Sequence, residues 1–205
     1  MNKKNGPLYF LLPLMICLFC NSAFGQTPTA QITSNPGASN DTIFVCSRDS
    51  IDFGDVSSGG PIGRNWTFEG GSPASSNSGN VRVAYNASGL YKTILEVWNG
   101  AGSDFDTVFV RVRPPAQAEI TASPSTILCP GSSVQLQVNI LQGTPNYSYQ
   151  WSPSTGLSST TSPNPMVSGI GSAQTYTVKI TDGNGCDTSI SITITVNPNL
   201  AVFAG

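Results

Sequence analysis

The sequence predicts an all-β chain, two tandem β-sandwiches behind a cleaved signal peptide. Three observations predict it. Apolar and polar residues alternate at period two in run after run, and no helical period competes with them. Turn-forming clusters separate those runs, such as Ser58-Gly59-Gly60-Pro61, Glu69-Gly70-Gly71 and Asp182-Gly183-Asn184-Gly185. One pattern also occurs twice. Cys46, Trp66, Tyr91 and Gly102 recur as Cys129, Trp151, Tyr176 and Gly185, at offsets of 83, 85, 85 and 83 residues. A fixed period of that size marks tandem copies of one small domain.

The N-terminus reads as an export signal. Lys3 and Lys4 form a short positive region, and an apolar run from Leu8 to Cys20 is broken only by Pro13. Ala23 and Gly25 then place small residues three and one positions before a cut at Gln26, so residues 1–25 are predicted to be a signal peptide. The run is too short for a membrane span, and no later run is long enough. Phe19 before Cys20 and Ile16 before Cys17 stand where lipoprotein signals carry a small residue, which argues against a lipid anchor.

In the first unit, strands are predicted near 29–34, 42–45, 50–53, 64–68, 81–85, 90–98 and 105–112. In the second they fall near 118–123, 133–140, 147–152, 164–168, 175–181 and 187–196. Val108, Val110 and Val112 alternate with Thr107, Phe109 and Arg111, and Ile190, Ile192, Ile194 and Val196 alternate with Ser and Thr. Such strands bury one face and leave the other in water, as in antiparallel sandwiches. Val112-Arg113-Pro114-Pro115-Ala116 is the joint between units 29–114 and 116–198; its prolines stiffen the chain and set the units end to end. Asn197-Pro198-Asn199 repeats that joint, so residues 199–205 are read as the start of a truncated further repeat.

Composition excludes several functions. The chain has no histidine, which removes Ser-His-Asp and Cys-His catalysis and histidine-bound zinc. After the signal peptide, seven basic residues face eleven acidic ones, and only Arg111 and Arg113 lie close together. Nucleic acid is therefore not an expected partner. Asp52-Phe53-Gly54-Asp55 and Asp104-Phe105-Asp106 could each supply a few oxygen ligands to Ca2+. No calcium-loop motif accompanies them, so they read as loop acids, and neither a metal nor another cofactor is expected.

Residues 29–114 resemble the PKD domain in its bacterial secreted form. The resemblance is carried by Asn65-Trp66-Thr67-Phe68-Glu69-Gly70-Gly71-Ser72-Pro73, by Val81 to Tyr85, by Ser88-Gly89-Leu90-Tyr91 and by Asn99-Gly100-Ala101-Gly102-Ser103-Asp104. Thr67 and Glu69 stand where aspartate and glycine are common in that family. Residues 116–198 resemble a more distant PKD/immunoglobulin-like repeat of cell-surface and gliding-motility adhesins. That second resemblance rests on Cys129-Pro130-Gly131-Ser132-Ser133-Val134, Tyr149-Gln150-Trp151-Ser152-Pro153, Thr155-Gly156-Leu157, Thr175-Tyr176-Thr177-Val178 and Thr181-Asp182-Gly183-Asn184-Gly185-Cys186. Together they imply two immunoglobulin-like sandwiches and an extracellular, bacterial-surface location.

The residues single out few sites. Trp66 and Trp151 share parity with apolar neighbours and are expected in the cores. Trp98 follows Tyr91, Leu95 and Val97 on the opposite parity, with Lys92 and Ile94; it points outward, as a platform for sugar or a contact for a neighbour. Three cysteines remain after export. Cys129 and Cys186 could form a disulfide within the second unit, provided their Cα atoms lie within about 7 Å. Ser103 takes the place of Cys186 in the first unit, so Cys46 is expected to be a free, partly buried thiol.

The expected function is non-catalytic: an exported spacer or adhesin that binds surface polysaccharide or protein. The alternative is an accessory binding part of a larger secreted glycoside hydrolase or protease. No catalytic residue is assigned, and the oligomeric state is left open.

Overall fold

The computed structural model describes residues 25–197. Residues 1–24 of the expected signal peptide and the expected further repeat at 199–205 lie outside the described residues. Every regular element described is a β-strand.

The first sandwich contains β1 (Ile32–Asn35), β2 (Thr42–Cys46), β3 (Ser50–Asp55), β4 (Gly63–Phe68), β5 (Gly71–Ser72), β6 (Ser75–Ser76), β7 (Asn80–Tyr85), β8 (Gly89–Asn99) and β9 (Gly102–Arg113). They form two sheets, ordered β1-β3-β7-β5 and β2-β9-β8-β4-β6. The second sandwich contains β10 (Gln117–Ser123), β11 (Ile127–Leu128), β12 (Ser133–Gln142), β13 (Ser148–Ser152), β14 (Met166–Ser168), β15 (Gln174–Thr181) and β16 (Asp187–Val196). Its sheets are ordered β10-β12-β14 and β11-β16-β15-β13. Pairing is antiparallel except at β2–β9 and β11–β16, where a short edge strand runs parallel to the last long strand of its unit.

Each predicted strand is present. Three were not anticipated: β5, β6 and β11, each two residues long. Two residues cannot display a period, so alternation could not reveal them.

Alternation explains the cores. Ile43, Val45, Ile51, Phe53, Trp66, Phe68, Val83, Tyr85, Leu95, Val97, Val108, Val110 and Val112 turn inward and form the first core. Its centre is aromatic: the Trp66 ring stacks on Phe68 at 5.5 Å, and Phe53 lies 5.2 Å from Phe68 and 5.9 Å from Trp66. The second core gathers Leu128, Val134, Leu136, Val138, Trp151, Val167, Ile170, Tyr176, Val178, Ile180 and Ile194.

Each core tryptophan finds a carbonyl for its indole N–H, as a buried polar group requires. Trp66 donates to Ser78 O at 2.9 Å, and Trp151 donates to Ser162 O at 2.8 Å. Burial pushes the Tyr85 and Tyr176 phenols above their ordinary pKa; Tyr85 keeps a hydroxyl partner in buried Thr93 at 3.2 Å, and Tyr176 donates to Thr155 O at 2.7 Å.

Candidate functional site

The two long strands β8 and β9 set the outer face of the first sandwich. Leu95, Val97, Val108, Val110 and Val112 point into the core, so the intervening residues face solvent. On β8 these are Leu90, Lys92, Ile94, Glu96 and Trp98; on β9 they are Ser103, Phe105, Thr107, Phe109 and Arg111. Register places Trp98 opposite Ser103, Glu96 opposite Phe105, Ile94 opposite Thr107, Lys92 opposite Phe109 and Leu90 opposite Arg111.

The neighbouring strands extend this face. Gly63, Asn65 and Thr67 of β4 pair with Trp98, Glu96 and Ile94, and Phe44 of β2 pairs with Arg111. Trp98 is 38 % exposed, Phe105 59 % and Phe109 40 %. The outward position expected for Trp98 is therefore what the structure has. Its indole lies against the Gly63 backbone, where an added Cβ would overlap the ring. Around it sit Ile62, Arg64, Asn65, Asn77 and Glu96, in a shallow open depression. At the other end, the Arg113 guanidinium lies 4.5 Å over the Phe44 ring, a cation–π contact.

Trp98 is thus one of several exposed aromatic residues. Phe105 and Phe109 belong to the same face, and sequence reading missed them as candidates. The signal was there: once Val108, Val110 and Val112 are assigned inward, residues 105 and 109 must point out.

The acids considered for calcium have structural partners instead. Asp104 accepts from Ala30 N at 2.9 Å and Asp106 from Ile32 N at 2.7 Å, which draws the start of the chain across the sandwich edge. Asp55 is buried and pairs with Arg64 at 2.7 Å, and Asp52 lies 3.7 Å from Arg82. Among the described residues no group of three or more potential ligands is arranged to hold a metal.

The cysteines correct the sequence reading. Cys186 is bonded to Cys46, not to Cys129, with the Cα atoms 5.5 Å apart; Cys129 is the free thiol. The reason is topological. Gln117 opens β10 just after the joint and pairs with Gln142, so the end of β12 lies at the joint. The loop that follows β12 accepts the Gly183 N–H on Thr144 O at 3.0 Å, which brings the β15–β16 hairpin there too.

Asp182 shapes that hairpin, accepting from Asn184 N and Cys186 N, both at 2.9 Å. Cys46 ends β2 opposite Arg113, the last residue of β9, at the same joint from the other side. Cys129 follows β11, which pairs with Thr195 and Val196 at the far end of β16. Ten residues of strand, about 33 Å, separate that end from Cys186, well beyond the reach of a disulfide. The expectation of a free Cys46 failed because it considered partners only within one repeat. A crevice lined by Phe44, Cys46, Arg113, Asn184 and Gly185 marks where the two sandwiches meet.

The sequence model of the PKD domain family matches residues 29–112. The first sandwich is a PKD domain. The joint with its partner sandwich begins at Arg113, directly after that match. No curated protein matches the chain.

Similar solved structures include titin immunoglobulin domains, an intimin fragment and fibronectin(III)-like modules. Titin domains Z1Z2, solved in complex with telethonin, are 18 % identical, cover 84 % of this chain and 98 % of theirs, and superpose with a TM-score of 0.35. The C-terminal fragment of intimin, solved with the intimin-binding domain of its translocated receptor, is 14 % identical over 82 % of this chain and 64 % of its own, at 0.46. The fibronectin(III)-like modules of Clostridium thermocellum CbhA are 11 % identical over 82 % and 95 %, at 0.38. PKD domains are typically non-catalytic and typical of extracellular proteins, and no helix among the described residues is long and apolar enough to cross a membrane.

Proposed function

We propose that this chain is a non-catalytic module, exported by its N-terminal signal peptide to a bacterial surface, where it acts as a spacer and adhesin for carbohydrate or protein. The observation that carries the reading is the aromatic outer face of the PKD domain, with Trp98, Phe105 and Phe109 exposed on one sheet. Exposed apolar patches bounded by polar residues mark interaction surfaces. Here Asn65, Lys92, Glu96 and Arg111 interleave the rings. The Cys46–Cys186 bond ties the domain carrying the face to its neighbour, which suits a module that must hold a binding surface at a set position.

The test is retention of the mature, oxidised chain on insoluble polysaccharides and on protein-coated surfaces. The wild type is expected to be retained on at least one of them, and a Trp98→Ala, Phe105→Asp double variant to lose at least tenfold in affinity. Wild-type retention by that variant would overturn the assignment of the face. No retention of the wild type on any surface would leave a spacer alone.

A further inference from the structure

We infer that the outer face of β8 and β9 is a self-association surface whose occupant is a second copy of this chain, packed face to face with its strands antiparallel. This rests on the reading of that face as adhesive and names its partner.

The two charges at the middle of the face carry the inference. Lys92 and Glu96 sit on β8, two positions to either side of Ile94, and both point outward. Neither makes an ion pair among the described residues. They cannot satisfy each other, because four strand residues hold them about 13 Å apart.

A two-fold axis lying in the interface, crossing the strands over Ile94 and its register partner Thr107, reverses β8 upon itself. Lys92 then meets Glu96 of the second copy, and Glu96 meets Lys92 of the second copy. The same operation brings Leu90 over Trp98 of the second copy, and Phe105 over Phe109 of the second copy. An axis running along the strands would instead place Lys92 on Lys92 and Glu96 on Glu96. The charges therefore select one of the two symmetric packings and oppose the other.

Sheet faces do pack this way, about 10 Å apart with strands within about 30° of alignment. The contact is isologous, so it closes at a dimer and does not propagate. Its size sets its strength. Four strands about 4.8 Å apart, over the eight residue-to-residue rises from Leu90 to Trp98, offer a face about 19 Å by 27 Å. That area is roughly two thirds of a standard partner surface, which places the dimer in the weak, reversible class. Antiparallel packing also sends the two Cys46 ends in opposite directions, the arrangement that lets chains from facing surfaces meet. Many weak pairs between two surfaces would then sum to firm adhesion.

Sedimentation equilibrium of the mature, oxidised chain from low to high micromolar concentration tests this. The wild type is expected to form a reversible dimer that weakens with salt. Ile94→Asp is expected to be monomeric. Lys92→Glu and Glu96→Lys alone should each weaken the dimer tenfold or more, because each sets like charges together at two symmetric points. The double exchange, Lys92→Glu with Glu96→Lys, should restore it to within about threefold, with all four variants melting within a few degrees of wild type. A wild type that stays monomeric throughout, or a double exchange as weak as the single ones, would overturn the proposal. A monomeric chain still retained on polysaccharide would sink the second copy as partner and leave the adhesin reading standing.

Discussion

The two sandwiches share a frame and differ on one face. In both, a core tryptophan gives its indole N–H to a serine carbonyl, Ser78 in one and Ser162 in the other. In both, an edge strand runs parallel to the last long strand. The outer faces of the corresponding sheets differ in their apolar content. On β15 and β16 the outward residues are Thr175, Thr177, Lys179 and Thr181, then Asp187, Ser189, Ser191, Thr193 and Thr195. Facing hydroxyls bond across the strands, Thr175 to Thr193 and Thr177 to Ser191, both at 2.8 Å. At the matching register the PKD domain has Phe109 in place of Ser191 and Phe105 in place of Asp187, and its longer β8 adds Trp98. A sheet of this fold is therefore stable with a hydroxyl face, and the exposed rings of the first domain need another reason than folding.

The largest expected effects fall on what the domains share. Trp66→Ala and Trp151→Ala should each cost about 3–5 kcal/mol, since each opens a large cavity in a core. Trp66 should cost more, because Phe53 and Phe68 lose their ring partner while Trp151 sits among mostly aliphatic neighbours. Calorimetry of the disulfide-free chain would show each variant lowering one of two transitions. Equal losses would mean that the aromatic centre of the first core adds nothing beyond volume.

Next comes the tether that joins the unlike halves. Closing a loop of 140 residues is worth up to about 5 kcal/mol on chain-entropy grounds. Each sandwich has its own core, so much less should appear in either transition and more in orientation. Cys46→Ser with Cys186→Ser is expected to broaden the interdomain distance distribution in small-angle scattering while each domain melts within a few degrees of its wild-type value. Thiol labelling of the unfolded mature wild type should count one reactive cysteine, Cys129. A count of three would remove the tether.

Much of this molecule was legible because alternation is a local property. Val134, Leu136 and Val138 announce an inward face without any knowledge of the partner strand, and they are buried. The inward valines of β9 equally announced Phe105 and Phe109 outside. Two features were not legible in this way. The two-residue strands form only because longer neighbours offer them an edge. The Cys46–Cys186 bond depends on which ends of two separate domains meet at the joint, and no spacing within a repeat encodes that. The repeat pattern misled here, since Cys46 and Cys129 occupy matching positions in sequence and opposite fates in space.

The smallest expected effect lies on the polar face. Lys179 pairs with Asp187 at 2.7 Å across β15 and β16, and Thr181 donates to the same carboxylate at 2.6 Å. These bonds, that from Lys179 first, hold the Asp187 carboxyl below its ordinary pKa of 3.8. A carboxyl depressed by folding stabilises the native state above that ordinary value, and the contribution is lost as pH falls through the lower native one. Both side chains are nearly half exposed, so solvent screens the pair and its worth stays below about 1 kcal/mol. Lys179→Met should therefore lower the melting temperature of the second sandwich by only a degree or two at pH 7, and the gap to wild type should narrow as the pH drops below 3.8. The transition of the PKD domain should not move in the variant. If it did, the two sandwiches would be unfolding as one unit through the Cys46–Cys186 bond, and the comparison between them would have to be made on the disulfide-free chain.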